Sequence, residues 1–127
     1  MLKNLGNAGK VTYYGSIGKD EKGEVLKKDL RENGITGNFS VSDSSPTGTC
    51  GVLVVDKDRT LVANLAAACE YKIDHLRNNM ESLEKAKLIY STSFFITSNK
   101  EALLEVGKYA SDFNIPFGFN LSAVFLI

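Results

Sequence analysis

The chain has 127 residues, 43% hydrophobic and 24% charged, with fifteen basic side chains against fifteen acidic. That is enough apolar material for the core of one globular domain, and a formal net charge of zero gives no chain-wide attraction to nucleic acid or anionic lipid. No apolar run reaches the roughly 18 residues of a membrane span, and Met1-Leu2-Lys3-Asn4 does not open a signal peptide. The expectation is an intracellular protein with neither nucleic-acid nor membrane partners, whose ligands are recognised locally. Cys50 and Cys69 lack both the Cys-x-x-Cys spacing of a zinc or redox site and the density of a secreted scaffold, so they read as reduced thiols.

Residues 4–10 (NLGNAGK) read as a loop entering a strand at 10–14 (KVTYY), which Gly15 closes. Residues 15–23 (GSIGKDEKG) carry three glycines around Asp20 and lead into a helix. From 21 to 33 the apolar side chains Val25, Leu26 and Leu30 share one face, and Asn33-Gly34 supplies the stop. A strand at 38–42 (NFSVS) breaks at Asp43-Ser44-Ser45-Pro46. Two strands, 49–55 and 60–65, then face each other across the polar link Asp56-Lys57-Asp58-Arg59, which has the length of a hairpin connection. Ala66-Ala67-Ala68-Cys69 favours helix, and short helical patterns follow through Asp74-His75-Leu76 and 80–86.

The strand at 87–92 (KLIYST) precedes the strongest helical pattern, 98–113, in which Ser98 and Glu101 have capping-box spacing. Its apolar stripe is Leu103, Leu104, Val106, Tyr109, Ala110 and Phe113. Asn114 stops it, and 115–121 (IPFGFNL) returns as a strand. Strand, crossover helix, strand is the pattern of a parallel α/β sheet, where ligands bind at the carboxyl ends of the strands. The chain finishes in apolar Val124-Phe125-Leu126-Ile127 with no polar tail, which reads as an interruption of a larger fold.

Several residues invite a chemical reading beside a plainer one. The glycines of 15–23 let a backbone approach a ligand, and Asp20 can cap the following helix or accept hydrogen bonds from a hydroxylated substrate. The segment is neither a P-loop nor Gly-x-Gly-x-x-Gly, and taken alone it reads first as a structural strand-to-helix turn. Arg59 at the hairpin tip can pair with an anionic group or simply be solvated between two aspartates. Phe94-Phe95 follows a strand where α/β sheets present ligand contacts, so it suits either stacking on a flat ring or core packing. The same two readings apply to Phe125. His75 has no metal-ligand neighbours at useful spacing.

Together these residues resemble a known family. Gly15 to Gly23 looks like the Gly-x-x-Gly-x-Asp-x-x-Gly signature of ribokinase-like (pfkB) carbohydrate and nucleoside kinases. Pro46-Thr47-Gly48-Thr49-Cys50, and then Asp58-Arg59-Thr60-Leu61-Val62-Ala63-Asn64-Leu65, closely resemble the hairpin of that family's adenosine kinase branch. Lys85-Ala86-Lys87 through Phe94-Phe95, and Asn120-Leu121-Ser122-Ala123, extend the similarity in the right order, with Val124 where proline is usual.

The resemblance implies a three-layer α/β/α domain with the β-hairpin contributing to a small lid, residues 1–127 being part of that domain. It implies ATP-dependent phosphorylation of adenosine at the 5′-hydroxyl with Mg2+, by a monomer in the cytoplasm and also the nucleus. Cys50, Leu61, Ala63 and Leu65 would line the nucleoside pocket, Phe94 would stack on the purine, and Phe125 would close the pocket. Arg59 would serve the transferring phosphate. The family also carries an upstream Gly-Gly-rich ribose segment, a downstream Asn-x-x-Glu segment associated with magnesium, and a Gly-Ala-Gly-Asp segment holding the anion hole and catalytic base. None stands in its place in these residues, so the chain alone is expected to turn over little or nothing. A catalytically silent nucleoside-binding or regulatory protein, and a ribokinase-like kinase of free sugars, are the alternatives.

Overall fold

A computed structural model describes residues 10–123, so Val124 and Phe125 lie outside the described residues. The contacts gather into two compact units, one up to Ala68 and the other from Cys69.

In the first unit β1 (Val11–Gly18) and β2 (Ile35–Ser42) pair in parallel, from Val11 opposite Ile35 to Gly18 opposite Ser42, with α1 (Glu21–Glu32) as the crossover. The first strand therefore runs past Gly15 and leaves only Lys19 and Asp20 between strand and helix. Gly15 is not a breaker here because aromatic rings close over it. A Cβ at that position would lie 3.0 Å from the Tyr13 ring and 3.6 Å from that of Phe39. Asp20 takes the extended backbone of an N-cap, and its carboxylate accepts from the Gly23 N–H at 2.9 Å. The helix ends at Asn33, followed by Gly34 at φ +71°, a conformation glycine adopts without a Cβ clash. Its buried stripe is narrower than the sequence predicts: Gly23 is buried and Leu26 and Leu30 partly so, but Val25 is exposed. Among the described residues of this unit, Ile17, Phe39 and Ala67 are the buried apolar ones.

β3 (Thr49–Val55) and β4 (Asp58–Asn64) form an antiparallel hairpin with Val55 opposite Asp58. The turn is Asp56-Lys57 alone, with Asp56 at φ +54°. Every residue of both strands is exposed. A 3-10 helix (Ala66–Cys69) follows.

The second unit contains α2 (Ile73–Arg77), α3 (Glu81–Glu84), β5 (Ile89–Thr92), α4 (Phe95–Asp112) and β6 (Phe117–Asn120). β5 and β6 pair in parallel from Ile89 opposite Phe117 to Thr92 opposite Asn120, with α4 as the crossover. Asn99 leaves helical geometry inside α4 (φ −160°, ψ 98°), and the Ala102 N–H donates to its Oδ1 at 2.9 Å. The long helix is thus capped at Asn99, not by the Ser98/Glu101 box read from the sequence. The same side chain also donates from Nδ2 to the Tyr71 carbonyl at 2.9 Å. At the other end Asn114 sits at φ +53°, with Ile115 N–H on the Ala110 carbonyl and Asn114 N–H on that of Ser111, a Schellman closure. The core is Tyr71, Leu76, Leu83, Ile89, Ala102, Val106 and Ala110, whereas Leu104 and Phe113 of the predicted stripe are exposed.

Candidate functional site

In an antiparallel pair, residues directly opposite project to the same face, and alternate residues along each strand share it. The register sets Cys50 opposite Ala63, Val52 opposite Leu61 and Val54 opposite Arg59. Cys50, Leu61, Ala63 and Arg59 therefore lie on one face of the hairpin, and Leu65 follows directly after β4 in the same alternation. The result is an apolar strip with one cation near its outer end. Arg59 is not at the tip, as the sequence reading has it, but inside β4, because the turn takes only two residues. Cys50 and Cys69 are free, exposed thiols.

The base of the hairpin rests on the β1–α1 turn. Asp20 Oδ1 accepts from the Thr47 hydroxyl at 2.5 Å, Oδ2 accepts from the Thr47 N–H at 2.8 Å, and the Gly18 N–H donates to Thr47 Oγ1 at 3.0 Å. With Gly23, protein donors take three of the roughly four lone-pair positions of this carboxylate. The Thr47 hydroxyl first, then the Gly23 and Thr47 amides, hold its pKa below the usual aspartate value. Of the two uses the sequence leaves open for Asp20, the structure realises the capping one and adds the tie to Thr47.

In the second unit Ser93 is buried. Its N–H donates to the Asn120 carbonyl at 2.8 Å and its hydroxyl to that of Leu121 at 2.7 Å, clamping the carboxyl ends of β5 and β6 together. Phe94 comes next and is 49% exposed, at the end of a parallel pair where such sheets present ligand contacts. Phe95 instead packs edge-on against Tyr71, with centroids 5.1 Å apart. Phe95 thus takes the packing reading, whereas the Phe94 ring is half-exposed. Thr47 and Ser93 are the positioning residues that sequence reasoning did not single out, since their partners lie 27 and 28 positions away.

Among the described residues no group of three or more His, Cys, Asp or Glu side chains could hold a metal ion. A literal Asn-x-x-Glu spacing does occur, from Asn78 to Glu81, but it precedes β5, and Glu81 is held at 2.7 Å by Lys85. His75 stands edge-on to Tyr71, in keeping with an ordinary structural histidine.

Two β-α-β crossovers and a hairpin with an apolar, singly cationic face define an α/β protein. The profile of the "pfkB family carbohydrate kinase" matches residues 1–126, and the chain belongs to that family. It is 46% identical over 120 residues to "Adenosine kinase 2" of Arabidopsis thaliana, which covers 93% of this chain and 35% of that protein. It superposes with a TM-score of 0.87 and 39% identity on Anopheles gambiae adenosine kinase in complex with P1,P4-di(adenosine-5) tetraphosphate, covering 91% of this chain and 34% of that one. Schistosoma mansoni adenosine kinase in complex with 2-fluoroadenosine matches at 0.87 and 33% identity over the same shares. The chain thus spans about a third of the length of the relatives it matches.

Proposed function

We propose that this chain forms the nucleoside-facing part of an adenosine kinase, which transfers the terminal phosphoryl group of ATP to the 5′-hydroxyl of adenosine and yields AMP. The observation that carries this reading is the single hairpin face bearing Cys50, Leu61, Ala63 and Arg59, with Leu65 next in the alternation. Apolar side chains exclude water from a purine, and a guanidinium suits the charge that develops on the phosphoryl group. On the family resemblance read from the sequence, Phe94 would stack on the purine and Phe125 would close the pocket. A monomer located in the cytoplasm and nucleus completes this reading.

Phosphoryl transfer also needs an acceptor for the 5′-hydroxyl proton and a cradle for the phosphates. No Gly-Ala-Gly-Asp sequence occurs in the 127 residues, so the chain alone should bind without turnover. Isothermal titration of the 127-residue chain with adenosine, ribose and fructose, beside an ATP-dependent phosphorylation assay, tests both statements. Adenosine should bind in preference to either sugar, with phosphorylation at background. Ribose or fructose binding as tightly as adenosine would transfer the assignment to a sugar kinase.

A further inference from the structure

The hairpin contributes nothing to the buried core of its unit, since every residue of β3 and β4 is exposed. Its stance must therefore be set where its two legs leave the rest of the unit. The entering leg is Pro46-Thr47-Gly48 and the leaving leg is Leu65-Ala66-Ala67. They are bound to each other, because the Ala67 N–H donates to the Pro46 carbonyl at 3.1 Å and a Cβ on Gly48 would stand 2.6 Å from the Leu65 carbonyl oxygen. The entering leg is also pressed onto the end of β1: a Cβ on Gly18 would meet the backbone of Ser45, Pro46 and Thr47 at 2.5 to 2.6 Å.

The polar part of this joint is built around one carboxylate. Asp20 receives both the hydroxyl and the amide of Thr47, and the same hydroxyl oxygen receives the Gly18 amide. We propose that Asp20 is a positioning residue: acting through Thr47, it fixes how the β3–β4 hairpin stands on the β1–α1–β2 unit, and so aims the Arg59 strip. The aim matters only if the strip faces a nucleoside, so that part rests on the function proposed above. The latch itself does not.

Two isosteric changes separate the latch from the helix cap. Asp20→Asn keeps a good cap acceptor for Gly23, but it turns one carboxylate oxygen into an N–H group and sets donor against donor at Thr47. Thr47→Val keeps the shape and the whole cap but removes the hydroxyl that serves Asp20 and Gly18. Thr47→Ser retains that hydroxyl.

Residual dipolar couplings of the isotopically labelled 127-residue chain read the stance directly. In the parent and in Thr47→Ser, amides of the hairpin and of β1–α1–β2 should fit one alignment tensor. In Asp20→Asn and Thr47→Val the hairpin should need its own, weaker tensor while β1–α1–β2 keeps the parent values. A single shared tensor in Thr47→Val overturns the proposal, and so does separate alignment in the parent. Should Asp20→Asn melt α1, Thr47→Val decides alone. A parallel adenosine titration should show affinity falling about tenfold in the two latch variants and holding in Thr47→Ser. Failure of the parent to bind adenosine would overturn the nucleoside reading, while the couplings still judge the latch.

Discussion

Gly18 and Gly107 show how differently one residue type is used in this chain. At Gly18 an added methyl would meet only backbone atoms, which cannot swing away, so Gly18→Ala must push the hairpin's entering leg off β1. The expected loss is about 1–3 kcal/mol of unfolding free energy. At Gly107, inside α4, nothing lies within 4 Å of the added methyl. Gly107→Ala should therefore stabilise the chain by about 0.5–1 kcal/mol through the smaller entropy of the unfolded backbone. Urea titration of both variants checks the pair, and equal signs would refute the packing argument. The adjacent phenylalanines divide in the same way. Phe95→Ala removes the ring seated on Tyr71 and should cost about 2 kcal/mol, below the full-burial range because this side chain is only partly buried. Phe94→Ala removes a half-exposed ring and should leave the urea midpoint within the spread of surface substitutions, while weakening adenosine binding about tenfold. A Phe94→Ala variant with unaltered adenosine affinity would remove this residue from the site.

At the scale of elements, the attachment of α2 to α4 depends on charge. Arg77 holds Glu105 with Nε at 3.2 Å and Nη2 at 2.8 Å, while Glu101 and Asp74 stand 3.5 and 3.9 Å from the same guanidinium. The hydrogen bond from Arg77, helped by its charge and opposed by desolvation, keeps the Glu105 carboxyl below its ordinary pKa. A depressed folded pKa means that the stabilisation is complete above the unfolded value, near ~4.3, and is lost as pH falls through the folded one. Amide exchange in α2, corrected for its intrinsic pH dependence, should therefore accelerate relative to β5 below about pH 4. It should not do so in Glu105→Gln. The elements themselves were largely legible: α1, the hairpin, α4 and the two crossovers follow from local periods of 3.6 and 2 in the apolar residues. The members of the strip were named through the family resemblance and not through alternation, and the sequence reading gave the turn four residues where the structure gives it two. Three features were not legible, and each depends on a distant partner. Gly15 continues a strand because Phe39 lies beside it, Asn99 displaces Ser98 as cap because the Tyr71 carbonyl is in reach, and Asp20 meets Thr47 27 positions later.

For the whole molecule, burial is uneven, and the hairpin proposed to face the nucleoside lies at its weak end. Among the described residues, seven apolar residues are buried from Cys69 onward, against Ile17, Phe39 and Ala67 in the first unit, and the hairpin buries none. Local opening free energies follow buried apolar contact, and an isolated two-stranded ribbon is marginal in water. Both hairpin faces are apolar, since Leu53, Val55 and Val62 occupy the side opposite the Arg59 strip. Native-state hydrogen exchange should thus rank the amides of β5, β6 and α4 beyond Asn99 as slowest, those of β1 and β2 as intermediate, and those of β3 and β4 as fastest. Adenosine should change that order selectively. A ligand bound by the strip stabilises the state in which the hairpin is formed, by about 2.7 kcal/mol at a hundredfold excess over Kd. The hairpin amides should then slow toward the values of β1 and β2, while β5 and β6, already protected, change less. Uniform slowing across the chain would instead locate the nucleoside away from the hairpin.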